Sequence, residues 1–263
     1  MGGPSQGSAT RGRALWLSTI SFTICFAVWT IFSIIGISIK QKLGLNETEF
    51  GLLVGLPILS GSLIRLVLGA WTDQYGGRRV NTIVMLAAAV ATYFLTWAHT
   101  YPQFLIAAFF VGIAGGSFAV GVGYVSRFYP AGKQGTALGI FGAGNVGSAV
   151  TKLLAPFVMV AFGWQAVAQV WAAVLAVMAV IFWVFAEEDP VMRERRARGE
   201  KPKSMWLEFA PLKNIQVWRF SLFYFFVFGA FVALALWLPQ YIINVYGVDL
   251  KDADVIADLS TAD

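Results

Sequence analysis

The sequence predicts an all-α membrane protein whose chain crosses the bilayer seven times, and three observations carry that prediction. First, 58% of the 263 residues are apolar and only 13% are charged, with a mean hydropathy of +0.70. A soluble domain is about 45–50% apolar and about 25% charged. Too few charges are present here to cover a water-facing surface, so a soluble enzyme is excluded. Second, the apolar residues gather into runs of about 20, the length that carries a helix rising about 1.5 Å per residue across roughly 30 Å of hydrocarbon. Third, the basic residues are distributed unevenly between alternate connections.

The runs lie at 14–38, 51–71, 80–97, 102–125, 136–160, 164–186 and 218–241. Residues 1–13 are polar and carry Arg11 and Arg13. The run that follows them is too long for the roughly 7–15 residue apolar core of a cleaved leader, so it reads as a retained first span. Before the second span, Asn46 with Glu49 three residues on matches a capping box, which leaves the Asn46-Glu-Thr48 glycosylation sequon incidental. Pro57 and Pro156 fall inside spans, where proline kinks a helix and loosens nearby carbonyls. The sixth span ends sharply at Glu187-Glu188-Asp189-Pro190. The one long connection is the polar stretch 187–217, and residues 242–263 are expected to form an external tail.

Fourteen of the 19 basic residues fall on one side: Arg11 and Arg13 before the first span, Arg78 and Arg79 after the second, Arg127 and Lys133 after the fourth, and eight from Arg193 to Arg219 after the sixth. Only Lys40, Lys42 and Lys251 fall on the other side. Excess Lys and Arg marks the cytoplasmic face, so the N-terminus is expected inside. The net charge of +5 is therefore topological and gives no reason to expect a nucleic-acid partner. A single cysteine, Cys25, excludes an internal disulfide framework. One histidine, His99, in a short outer loop, leaves little for metal or general-base chemistry, and no cofactor is expected.

All 14 acidic residues fall in connections or chain ends, so Arg65 and Lys152 are the only formal charges at membrane depth. Burying such a charge costs at least about 2.5–3.5 kcal/mol on insertion scales, so each requires a partner or a wet cavity. With no carboxylate in the spans, the natural partner is a mobile anion. Arg65 lies ~6 Å to the cytoplasmic side of its span centre and Lys152 a similar distance to the outer side. Snorkelling toward the interface is the alternative for both, more readily for the lysine. The fifth span reads Gly135-x3-Gly139-x2-Gly142-x-Gly144-Asn145-x-Gly147. Such glycines let helices approach closely, or leave backbone groups open to a ligand. Asn145 falls near the depth of Arg65, and a buried Asn requires partners. The literal Gly142-x-Gly144-x-x-Gly147 match to a dinucleotide fingerprint lacks the preceding strand and the following acid, and is rejected.

Two stretches carry a resemblance. Gly69-Ala-Trp-Thr-Asp73-Gln-Tyr-Gly76-Gly77-Arg78-Arg79 resembles the loop motif between the second and third helices of the major facilitator superfamily. In that family the Asp and the Arg residues hold helix ends together as a cytoplasmic gate, which assigns the role to Asp73, Arg78 and Arg79. Gly115-Gly116-Ser-Phe118, Phe128-Tyr129-Pro130, Lys133-Gln134-Gly135 and the Gly142–Gly147 motif resemble the nitrate/nitrite porter (NarK/NasA) family of that superfamily, over nearly the whole chain.

The resemblance implies that Arg65 grips a planar oxoanion, as its fork geometry suits. It implies that Gly142, Gly144 and Asn145 belong to the anion motif, and that Phe118, Tyr224 and Phe228 are aromatic walls of the pocket. Lys152 is a possible coupling group, although spans without carboxylates favour anion exchange over proton symport. The implied fold is the N-terminal six-helix bundle, residues 14–186, with a seventh helix. The family's roughly twelve spans would require a further half carrying a second arginine, so an incomplete transporter is expected. The alternatives are a carrier for another small anion and a non-transporting half that pairs with a separate subunit. The expected setting is the bacterial inner membrane.

Overall fold

The computed structural model describes residues 4–200 and 210–247. Eleven α-helices are described: α1 (Pro4–Trp29), α2 (Phe32–Leu43), α3 (Glu47–Tyr75), α4 (Gly77–Phe94), α5 (Tyr101–Val111), α6 (Ser117–Ser126), α7 (Ala131–Gly142), α8 (Gly147–Phe162), α9 (Trp164–Phe185), α10 (Pro190–Ala197) and α11 (Ile215–Tyr246). They build seven segments long and apolar enough to cross a membrane: Gly7–Leu43, Glu47–Tyr75, Gly77–Trp97, Tyr101–Ser126, Ala131–Phe162, Trp164–Phe185 and Ile215–Pro239. Each contains or closely matches one apolar run of the sequence.

The first span is the hub. In its most apolar window 83% of the residues are buried, against 17% in the seventh, which places one at the centre and the other at the periphery. Around it, α4 packs along α9, α3 packs on the fourth span, and α8 packs on both α1 and α9. A large core of buried Phe, Ile, Ala and Trp side chains runs through the bundle, with a small separate cluster of Leu68, Val80, Val84 and Val120 beside it. The seventh span lies against α2, and its Trp237 ring meets Phe50 of α3 edge-on at 5.9 Å.

The capping box is present: the Asn46 side chain accepts from the Glu49 backbone N–H at 2.9 Å, and Glu49 accepts from the Asn46 N–H at 3.0 Å. Gly76, at φ +89°, makes a one-residue turn between α3 and α4 in a conformation that a residue with a Cβ adopts poorly.

Three boundaries differ from those that hydropathy suggests. Residues 4–13, polar in composition and expected to lie outside the first span, are helical and continuous with it, with Pro4 at a first-turn position that tolerates proline. The 187–217 stretch contains α10, capped by Asp189, whose carboxylate accepts from the Met192 N–H at 2.9 Å. The seventh helix runs on through residues 242–246 to Gly247, whose positive φ of 66° closes it. The expected approach to an eighth helix at 248–256 and the polar end after it lie outside the described residues.

Candidate functional site

Three of the spans are interrupted, and the interruptions of the first and the fourth meet at Arg65. The first span breaks between Trp29 and Phe32. The fourth passes through a 3₁₀ turn at Gly112–Gly116, and the fifth through another at Ala143–Val146. A 3₁₀ stretch inside a longer helix changes which carbonyls are bonded and often marks a functional position. Discontinuous helices near mid-membrane are where carriers place their ligands.

Glycine makes the crossing possible. A Cβ on Gly61 would lie 2.6 Å from the Gly112 carbonyl oxygen and from Trp29 Nε1, and one on Gly115 would lie 2.5 Å from the Trp29 ring. The indole of Trp29 fills that space and donates to the Pro57 carbonyl at 2.8 Å. Trp29 and the Pro57 carbonyl thus tie the first span to the second, a role that a Trp inside an apolar run does not announce in the sequence.

Arg65 turns inward and does not snorkel. Its Nε donates to the Gly115 carbonyl at 2.9 Å. Its Cζ lies 5.0 Å from the Trp29 ring centroid, 5.4 Å from Phe118 and 5.6 Å from Phe228, within range of cation–π attraction. The Tyr224 hydroxyl comes within interaction range of the guanidinium. One guanidinium nitrogen, Nη2, is buried and has no hydrogen-bond partner. Arg65 makes no ion pair among the described residues.

The aromatic walls connect this cation to Asn145. Phe118 lies 5.4 Å from Phe22 and 6.4 Å from Phe228, and Tyr224 stacks on Phe228 at 5.0 Å and 14°. On the far side, Phe22 backs the fifth span, where a Cβ on Gly144 would meet its ring at 2.5 Å. The Asn145 amide donates to the Gly142 carbonyl at 2.8 Å, and its Oδ1 is buried without a partner. Arg65 Nη2 at one end of this run of rings, and Asn145 Oδ1 beside Gly144 at the other, are both buried without a partner.

The glycines of the fifth span divide into two sets. Gly144 and Gly147 press on the first span, the latter against the Thr23 carbonyl and, at 2.8 Å, the Ala27 nitrogen. Gly135, Gly139 and Gly142 have nothing within 4 Å of a Cβ position. Gly144→Ala is therefore expected to lower the thermal midpoint in detergent, whereas Gly139→Ala is expected to leave it within a degree or two or raise it slightly, as Ala replaces Gly in a helix. Equal melting of the two variants would refute the division.

Lys152 lies seven residues beyond Asn145, about 10 Å along the helix. It is half-buried, without an ion pair or hydrogen bond among the described residues, and none of the contacts of Arg65 involves it.

At the end of the bundle carrying the N-terminus, Asp73 pairs with Arg127. It pairs with neither of the arginines that follow it in the motif. Arg127 also donates to the fully buried Asp189 at 3.1 Å and to the Thr72 carbonyl at 3.2 Å. Arg195 donates to the Asp73 carbonyl at 2.9 Å, which seats α10 on the helix ends. Arg78 instead donates to the Trp183 carbonyl at 2.6 Å and stacks over that indole, while Arg79 is exposed and has no partner among the described residues. Sequence reasoning does not single out Arg127 and Asp189 as members of this network. The Asp-Pro start of α10 is the available signal.

Residues 17–260 match the family model described as Major Facilitator Superfamily. Over 261 residues the chain is 39% identical to a protein of Thermus thermophilus named probable nitrate/nitrite antiporter NarK1, covering 95% of this chain and 58% of that one. It is 32% identical over 239 residues to the nitrite extrusion protein of Bacillus subtilis strain 168, covering 91% and 59%. Over 245 residues it is 31% identical to the probable nitrate transporter NarT of Staphylococcus haemolyticus, covering 93% and 62%. The chain thus spans about three-fifths of the length of these relatives. Among solved structures, a bacterial homolog of the human lysosomal transporter Spinster, inward-facing and unoccupied, matches with a TM-score of 0.69 at 21% identity, covering 93% of this chain and 58% of that one. A D-xylose-proton symporter matches with a TM-score of 0.58 at 15% identity, covering 91% and 63%. At those identities the likeness is one of fold alone.

Proposed function

The chain belongs to the Major Facilitator Superfamily, and on that premise we propose that it is the anion-gripping portion of a nitrate or nitrite carrier working by alternating access. The observation that supports this most is the buried, unpartnered Nη2 of Arg65, in spans where the sequence places no carboxylate. A guanidinium already anchored through Nε and braced by three rings keeps Nη2 for an incoming acceptor. A planar oxoanion offers two oxygens to that fork. Phe118, Tyr224 and Phe228 then form the walls that exclude water, and Asn145 with Gly142 and Gly144 forms the opposite rim. The names of the relatives support nitrate and nitrite over other small anions.

Exchange of one anion for another fits a sequence in which Arg65 and Lys152 are the only charges at membrane depth, and Lys152 is the one group there that could carry a coupling proton. The Asp73, Arg78 and Arg79 segment, held by Arg127 and α10, is the cytoplasmic gate in this reading, with the N-terminus inside a bacterial inner membrane. Transport itself would require the remaining length found in the relatives, as a continuation or as a partner subunit.

The test has two parts. Calorimetric titration of the purified chain in nanodiscs should show nitrate and nitrite binding, with chloride and sulfate far weaker. Fusion to the C-terminal remainder of the Thermus relative should give nitrate–nitrite exchange in proteoliposomes. A fusion that inserts and folds but moves another small anion, and not nitrate or nitrite, would refute the substrate.

A further inference from the structure

A second cluster of cationic side chains lies away from the rings around Arg65. Where α1 passes the segment after the sixth span, a cavity of about 850 Å³ opens, lined among others by Thr10, Arg11, Arg13, Phe128, Glu187 and Arg193. Among the described residues, three guanidinium groups from two separate elements converge on it, with Glu187 as the single acid. Arg13 pairs with one oxygen of that carboxylate, and Arg193 reaches the other at 3.4 Å. The side chain of Arg11 has no hydrogen bond or ion pair among the described residues; only its backbone carbonyl is engaged, by the Tyr129 hydroxyl at 3.2 Å. The cavity therefore carries a net charge of two positive, with one guanidinium wholly uncommitted.

Its depth identifies the occupant. Arg13 directly precedes Ala14 and Leu15, which are buried in the core, and Glu187 directly follows the sixth span. The cavity thus sits at the level where the apolar helices give way to polar residues, which is where phospholipid headgroups lie. Below it, Trp16 and Ile20 are 59% and 47% exposed. They follow Arg13 at helical spacing, so one face of α1 presents a guanidinium, an indole and an aliphatic chain in descending order. That is the order of a phosphate, a glycerol region and an acyl chain, and Trp is favoured at this depth. Guanidinium forks match phosphate oxygens bidentately.

We propose that this cavity binds one anionic phospholipid, its phosphodiester held between Arg11, Arg13 and Arg193 and an acyl chain lying along Trp16 and Ile20. The lipid would fasten the N-terminal helix to the segment leaving the sixth span.

Native mass spectrometry of the detergent-purified chain, offered phosphatidylglycerol and phosphatidylcholine of identical acyl chains, tests this directly. One phosphatidylglycerol should be retained in preference to phosphatidylcholine by on the order of 25-fold, since each of the two net positive charges contributes about fivefold. Arg11→Gln with Arg193→Gln should bring the two lipids close to parity, whereas Arg79→Gln, an exposed arginine at the same end of the bundle, should not. Arg11→Gln alone breaks no bond of the structure and should lower the preference about fivefold, so a folding failure of the double variant would not obscure the result. An unchanged preference in both Arg11 variants, or an equal loss in Arg79→Gln, would overturn the site. Displacement of the lipid by inorganic phosphate at the same residues would overturn the lipid assignment in favour of a soluble phosphate.

Discussion

Arg65→Ala is expected to abolish nitrate binding, with a loss of at least about 2–5 kcal/mol, or roughly 30-fold and more in affinity. Among the described residues the guanidinium is the one cation facing these rings, and Trp29, Phe118 and Phe228 around it supply no countercharge. Removing it leaves an anion in a low-dielectric site with no charge to balance it. Arg65→Lys is expected to fail nearly as badly. An ammonium can take the place of Nε at the Gly115 carbonyl or meet the anion, but it cannot do both in one plane as the fork does. Titration of both variants beside a melting curve separates binding from folding. Loss of binding with a midpoint within a few degrees of wild type supports the assignment. Binding retained in Arg65→Ala would end it.

The largest stability effect is expected at the end of the bundle. Arg127→Ala should destabilise the fold by about 3–5 kcal/mol, the range found when one partner of a buried ion pair is removed. Asp189 is completely buried, and Arg127 is its only cationic partner among the described residues. Its other interaction is the cap it gives α10 through the Met192 N–H. Without the guanidinium, that carboxylate stays desolvated, Asp73 loses its partner, and the Thr72 carbonyl loses a donor. Arg127→Met combined with Asp189→Asn should recover more than half of the loss, because Asn keeps the cap and removes the stranded charge. Unfolding in mixed detergent–SDS micelles measures all three chains. A wild-type midpoint for Arg127→Ala would show that the network is only surface decoration.

The positions of the spans were legible because crossing hydrocarbon demands long apolar runs, which a helix with one face in water does not carry. The Asn46–Glu49 cap was legible for a similar reason, since a local pattern there does a local task. The helix at 4–13 and α10 were missed because polar helices carry no hydropathy signal. Their stability comes from what they dock against: Glu187 for one, and Asp73 with Arg127 for the other.

Arg65 stood out because a charge in a span is costly wherever it lies. Trp29 did not, because an indole in an apolar run looks like any other core side chain until its N–H is seen on the Pro57 carbonyl. The glycine motif of the fifth span was visible, but its division was not. Spacing cannot separate Gly144, which has Phe22 against it, from Gly142, which faces open space. The loop motif after the second span pointed to Asp73 and to Arg78 and Arg79. Only the fold showed that the carboxylate is held by Arg127, some 50 residues away in the chain.

The sequence by itself determined that this chain is a bundle of membrane helices with unpaired cations inside, because burial in lipid constrains composition residue by residue. Which atoms of Arg65 stay free, which rings brace it and which glycines are packing surfaces were decided by the tertiary structure. Those properties belong to crossings between helices, and a crossing at Gly61 and Gly112 depends on two surfaces that lie far apart along the chain.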